Sequence, residues 1–444
     1  MAKLIDENST PSTKSELDLF TVPPTQVAVK RSFWAEIYPK NPITDDGPYD
    51  FHITPDVYML DLAKNYVYLT LQVVKPNGTD CATTIDAQTG ALGGDLAFPI
   101  NLLGKTFFKQ IKIYLNNKLI SDSGDKYSYR AYLETVLNFS QEAKETQLQA
   151  AGYYEDGTSD NLLENDGYKK RLARFKDSSV VELMAPIHAD MFMQERYLIS
   201  QSDLRIEMYR NSDAFCLIDP AARGQNYKIR VKSMCLYMRK VEVSDSINLA
   251  IETMLQNTTI KYPIRRTQIT TLHITENRRS TPLNALFTGI TPRRLVVGLV
   301  KAEALRGNYN LSPFDFQDFG ISEIKLTSST VTLPNTPYKL NFDENKYVRA
   351  FVDMFEGLNV GNDNRGNAIN LESFKKGKTF FVFDLSADQS DSTYWQLIKE
   401  GSTSLEILFQ KNLPANGLEC VIFAEFDSML FVDHARQTYL DFTV

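Results

Sequence analysis

The sequence predicts an all-β fold of two tandem jelly-roll β-sandwiches with inserted helices, a double jelly roll. Three observations carry this. Runs of β-branched and aromatic residues recur at short spacing along the 444 residues. The chain holds 22 Tyr and 26 Phe against 4 His and 2 Trp, which suits strands and packed interfaces and supplies little for hydrolytic or metal chemistry. Two patterns from the first half recur, in the same order, in the second.

Residues 1–28 read as an arm. Polar residues lead into Leu17-Asp18-Leu19-Phe20 and then Pro23-Pro24, where the double proline blocks regular pairing. An apolar Leu-x-Leu-Phe in such an arm needs a groove. It serves either as a tether within the chain or as an arm docking on a neighbouring subunit or inner layer. The first sandwich is expected over 29–245. Its strands read as Ser32–Tyr38, Tyr66–Val74, Thr106–Leu115, Leu204–Tyr209 and Tyr227–Arg239, with turns at Pro76-Asn77-Gly78 and Asn116-Asn117. A helix over Tyr127–Ala150 interrupts them. Tyr129, Tyr132, Leu133, Val136 and Leu137 form its apolar face, and Glu134, Glu142, Lys144 and Glu145 read as its solvated side. Residues 152–178 read as a long polar loop.

A connecting segment over 246–262 includes a short helix at Ser246–Leu255 and ends where Tyr262-Pro263 blocks continuation. The second sandwich is expected over 263–444. Its strands read as Gln268–Ile274, Arg294–Ala302, Ile321–Thr327, Thr379–Asp384, Leu405–Gln410 and Glu419–Val432. Its helix reads as Tyr347–Leu358, with an apolar face of Val348, Phe351, Val352 and Phe355.

The halves match in detail. Gln110-Ile-Lys-Ile113 precedes Tyr129-Arg-Ala-Tyr-Leu-Glu134, and Glu323-Ile-Lys-Leu326 precedes Val348-Arg-Ala-Phe-Val-Asp353. Likewise Leu198-Ile199 leads into Leu204–Asn211, and Leu397-Ile398 into Leu405–Asn412. A displacement of roughly 200–220 residues is a duplicated domain, not a solenoid repeat.

Charge and motifs narrow the function. A net charge of −7, from 48 basic and 55 acidic side chains, argues against electrostatic coating of nucleic acid. Apolar runs such as Leu295–Val300 fall far short of the ~20 residues of a membrane span. Met1–Thr13 lacks the plan of a secretory signal. Cys81, Cys216, Cys235 and Cys420 are scattered and expected to be reduced, and sequons such as Asn77 and Asn138 are read as chance matches. There is no Gly-x-Ser-x-Gly, P-loop, GxGxxG-helix or HExxH motif. His188-Ala-Asp190 could join His273 or His434 in a two-His-one-carboxylate iron site. Both partners lie in the other repeat and Met191-Phe192-Met193 follows, so His188 and Asp190 read as structural hydrogen-bonding groups. No acid pair is marked for glycoside hydrolysis. The basic pairs Lys169-Lys170, Arg265-Arg266, Arg278-Arg279 and Arg293-Arg294 read as surface salt-bridging groups, with subunit contacts or weak nucleic-acid contacts as the functional alternative. No catalytic, metal or cofactor residue is assigned.

Several longer motifs then carry a resemblance. They are Ser15–Thr25 in the arm, Tyr129–Glu134 and Lys144–Leu148 in the first helix, His188–Leu198, Leu204–Arg210, Pro292–Val300, Ser312–Phe316, Phe383–Leu385 and Ala424–Asp427. Over most of its length the chain resembles the double jelly-roll major capsid proteins (hexons) of the Polinton/Maverick and adintovirus group, some embedded in animal genomes. Ser312 stands where that family usually has Asn. The resemblance implies homotrimeric, pseudo-hexagonal capsomers that join neighbouring capsomers and penton or minor capsid proteins. They would form an icosahedral virion shell around double-stranded DNA, assembled in the nucleus or cytoplasm. It implies no enzyme activity, no cofactor, no direct sequence-specific nucleic-acid contact and no transmembrane segment. Leu17, Leu19, Phe20, Pro23 and Pro24 are the candidate inner-face docking residues. The alternatives are a jelly-roll metal-dependent oxygenase or hydrolase, and a carbohydrate-binding or adhesion protein.

Overall fold

The computed structural model describes residues 6, 8–10, 12–85, 92–157, 164–220, 224, 226–329, 331–361, 363–389 and 394–442. Parts of the expected arm (1–5, 7 and 11) and of the 152–178 segment (158–163) lie outside them.

Eight strands build the first sandwich: β1 (Val29–Ile37), β2 (Tyr49–Ile53), β3 (Met59–Val74), β4 (Phe108–Leu115), β5 (Lys118–Asp122), β6 (Val181–Ala185), β7 (Leu204–Arg210) and β8 (Lys228–Val243). They form two antiparallel sheets, ordered β1-β8-β3-β6 and β2-β7-β4-β5. Eight more build the second: β9 (Ile260–Ile274), β10 (Ser280–Ile290), β11 (Arg294–Lys301), β12 (Ile321–Ser328), β13 (Val331–Leu333), β14 (Phe380–Asp384), β15 (Glu400–Phe409) and β16 (Leu418–Val432). Their sheets run β9-β16-β11-β14 and β10-β15-β12-β13. Adding eight to every number in the first pair of sheets gives the second pair. That order, repeated in tandem, is the double jelly roll.

The duplication extends to irregularities. β4 and β12 share one burial sequence, in which Phe108, Ile111, Ile113 and Leu115 match Ile321, Ile324, Leu326 and Ser328. Both strands skip one residue at the same place, Lys109 against β7 and Ser322 against β15. A bulge conserved in position between copies re-aims the strand identically in each. Beyond it the period-2 alternation puts one face in the core.

Helices connect these strands. α1 (Tyr127–Asn138) lies between β5 and β6, and α2 (Asp166–Arg174) follows it. α3 (Asp245–Leu255) joins the sandwiches, and α4 (Val348–Gly357) and α5 (Leu371–Lys375) lie between β13 and β14. Three expectations need correction. The helix expected over Tyr127–Ala150 breaks after Asn138 and resumes as short turns at Gln141–Glu145 and Gln147–Ala151. The segment read as a polar loop contains α2, whose Tyr168 and Leu172 are buried, as is Arg171. The second sandwich's first strand starts earlier than expected, at Ile260, so Pro263 lies inside β9, an edge strand where a missing N–H is tolerated.

Candidate functional site

α1 is the centre of the junction between the sandwiches. Its apolar face was read correctly, but its polar face is not solvated: Arg130 and Glu134 are buried, and so is Lys144 in the following turn. Tyr132 stacks on Phe314 of the second sandwich, with centroids 4.2 Å apart and planes 4° from parallel. The Tyr129 hydroxyl donates to Pro313 O at 3.1 Å. Gly298 of β11 permits this cluster, because a Cβ there would lie 2.5 Å from the Phe316 ring. The Lys144 ammonium donates to Val136 O at 2.8 Å and to Asn367 O of the second sandwich. Lys378 meets Glu155 across the same seam. At another point Ile199 N donates to the Tyr262 hydroxyl at 3.0 Å, and Arg436 bonds Ser200 O at 3.1 Å and Glu252 at 2.6 Å.

Beneath the ring cluster lies a buried charge network. Arg130 Nε bonds Glu134 at 2.9 Å, and Arg130 Nη2 bonds Asp190 at 2.8 Å. Thr267 N in β9 donates to Asp190 Oδ1 at 3.1 Å, so the network crosses into the second sandwich. His188 Nδ1 donates to Glu134 at 2.5 Å, while His188 Nε2 is buried without a partner among the described residues. Lys105 donates to Thr135 Oγ1 at 3.0 Å.

Burial and charge set the protonation. Burial pushes His188 down to about 4, against the pull of Glu134, so its ring is neutral at pH 7. Burial pushes the Glu134 carboxyl up, but Arg130 and the His188 hydrogen bond outweigh it and hold the group at about 2. Burial raises Asp190 despite Arg130. It lowers Lys105 to about 8 and Lys144 to about 7, the latter helped by Lys378. A buried network of this kind is costly to break and gives little net stability when whole. What it supplies is a fixed relation between the sandwiches.

His188 and Asp190 do engage in structural hydrogen bonding, through Glu134 and Arg130 rather than with each other. His273 pairs with Glu419 at 3.0 Å instead of joining them. Among the described residues no group of three or more His, Cys, Asp or Glu is placed to hold a metal ion. Arg293-Arg294 is not a surface pair. Both side chains are buried, with Arg293 3.5 Å from Asp427, and Arg294 3.3 Å from Glu425 and bonded to Gly357 O. Sequence reasoning missed Arg130, Lys105 and the role of Glu134. The repeated motif does not mark them, because its second copy places Arg349 and Asp353 in a partly exposed pair.

The arm is the other notable surface. Ser15–Leu17 forms one 3₁₀ turn, and Leu17, Leu19 and Phe20 are 67%, 76% and 96% exposed, with Pro23 and Pro24 also exposed. Its root is fixed. Ser244 N donates to Ala28 O at 2.8 Å, Lys30 meets Asp245 at 2.8 Å, and Gln26 and Val29 exchange two hydrogen bonds. The α4 face expected to be buried is also partly open: Val348 and Val352 are exposed, while Ala350, Met354 and Gly357 face the core.

No family model matches the chain. An uncharacterized protein of Caenorhabditis elegans is 28% identical over 431 residues, covering 95% of this chain and 99% of that protein. Among solved structures, a chain of the Sputnik virophage superposes with a TM-score of 0.66 at 11% identity, over 100% of this chain and 94% of that one. The mavirus major capsid protein gives 0.57 at 9% identity, over 100% and 97%. The Faustovirus major capsid protein gives 0.53 at 10% identity, over 93% and 92%. No helix among the described residues is long and apolar enough to cross a membrane. In fold, the chain is a double jelly roll similar from end to end to major capsid proteins of virophages and giant viruses.

Proposed function

We propose that this chain is a major capsid protein without catalysis of its own. Three copies would form a pseudo-hexagonal capsomer, and capsomers would join penton and minor proteins in an icosahedral virion shell around double-stranded DNA. One observation carries the reading: two sandwiches of identical strand order, locked at a buried junction, in a chain that superposes over its whole length on virophage capsid chains. A rigid pair of like units used three times presents six similar faces, which can tile a hexagonal lattice. The Polinton/Maverick and adintovirus group is the proposed kinship, and a relative of nearly equal length in a nematode fits its genome-embedded members. Residues 29–245 and 263–444 are the proposed building units, with residues 1–28 as the arm.

The arm would act at the inner face, through Leu17, Leu19 and Phe20 beside Pro23-Pro24. Light scattering on the size-exclusion peak, with negative-stain images of the same fractions, tests the whole reading. Three chains of 50.5 kDa give about 150 kDa and hexagonal particles. A capsid reading fails if the protein stays monomeric with its coat partners supplied. Deleting residues 1–26 should leave trimers but impair shells, and normal shells from the truncated protein would refute the arm's role.

A further inference from the structure

The second sandwich has an open side. Among the described residues β9 pairs only with β16, and β10 only with β15, so each leaves one edge without a strand beside it. Between them lies a hollow of about 330 Å³, lined by Arg266, Gln268, Leu286, Phe287, Phe426 and Phe442 among others. That is the low end of ligand-sized cavities, about 300–1,000 Å³.

Arg266 is the unusual member. Its guanidinium sits 4.5 Å from the Phe426 ring and 4.9 Å from the Phe442 ring. Among the described residues its Nε is buried without a partner, and its side chain makes one hydrogen bond, to Gln268, long at 3.4 Å. Among the described residues no carboxylate lies within ion-pair distance of it, and burial lowers its pKa against the more distant pull of Asp190 and Asp441. A half-buried guanidinium held over aromatic rings can receive a carboxylate flanked by apolar groups.

The chain carries such a ligand. Asp18 closes the Ser15–Leu17 turn and Phe20 follows two residues later; drawn out into a strand on binding, the two side chains would face the same side. On its own chain this segment stands in solvent, with Phe20 96% exposed. We infer that the hollow between β9 and β10 receives the Asp18–Phe20 segment of a second copy, with Asp18 on Arg266 and Phe20 among the rings. The inference rests on the reading of residues 1–28 as an assembly arm and names its receptor.

Directed cross-linking tests it on full-length chains. All four native cysteines are buried. Thr21→Cys protein is mixed with Thr288→Cys protein, both positions being exposed, and with Thr332→Cys protein as a remote control. Disulfide-linked pairs should form at Thr288→Cys and not at the control. Asp18→Lys in the first chain, or Arg266→Glu in the second, should reduce the yield about tenfold, and combining them should restore it. Because Asp18 is exposed on the arm, its variant cannot fail through misfolding. Arg266→Gln should leave the melting temperature unchanged or higher, whereas a structural arginine would lower it. Linkage at the control level, or yield indifferent to Asp18→Lys, overturns the inference. If shells still require residues 1–26 in that case, only the receptor is wrong. If shells form without them, the arm reading falls as well.

Discussion

The two inserted helices descend from one motif and have opposite fates. In α1, Arg130 and Glu134 stand four residues apart with side chains 4% and 7% exposed. In α4, Arg349 and Asp353 hold the matching positions at 3.8 Å, with side chains 48% and 37% exposed. Ala131 and Ala350, between the pairs, are both buried. The same spacing therefore gives a desolvated network in one sandwich and a solvent-screened pair in the other. What differs is not the helix but what covers it: the second sandwich packs over α1 through Phe314 and Phe316, while the outer face of α4 stays open.

The largest test of this contrast is Arg130→Met against Arg349→Met. Losing one partner of a buried network should cost about 3–5 kcal/mol. Losing one of an exposed pair should cost less than about 1 kcal/mol. Urea denaturation of both variants measures the difference, and equal losses would break the comparison.

Acid should separate the helices next. His188 is held near 4 against an ordinary 6.5, so between those values the unfolded chain takes up a proton that the folded chain refuses. Stability therefore rises with pH across this window and falls as pH drops from 6.5 toward 4, by about 3 kcal/mol at ~1.4 kcal/mol per unit. Glu134, held near 2, adds a loss between about 4.5 and 2. In His188→Leu the upper part of the slope should vanish. Amide hydrogen exchange should show α1 loosening before α4, and simultaneous loosening would count against a local cause.

The smallest expected effect is Val352→Ser, on the open face of α4. A change at an exposed position should stay within about 0.5 kcal/mol by thermal unfolding. A larger loss would mean that another copy covers this face in solution.

Much of the architecture was legible because short-range chemistry writes it. The runs Gln110–Ile113 and Glu323–Leu326 are the matching strands β4 and β12, and helical periodicity located α1 and α4. Other elements left fainter marks. β10 contains Pro282 and Gly289, and few of its residues are buried, so no clean alternation betrays it. α2 buries only Tyr168 and Leu172 as apolar anchors among charged residues. The charge network was illegible for a different reason. Periodicity places Glu134 opposite the apolar stripe, and only tertiary packing decides whether that side meets water. Lys144 was read as solvated on the same logic and is buried by Asn367 and its neighbours. The arm residues were legible as a group because apolar residues beside a double proline have no strand to join. Their receptor could not be read, since Arg266 looks like any basic pair until its rings are in place.

The buried junction also bears on history. Two copies of one gene segment begin as interchangeable parts, and either could once have been lost. After the first copy's helix drew its charges and rings under the second, that route closed. Removing the second half now strips the cover from Tyr132, Arg130 and Asp190, and removing the first uncovers Phe314 and the side of Phe316 that faces Tyr132. The doubling has become a ratchet: the chain can diverge as a pair, but it can no longer return to a single sandwich by simple deletion.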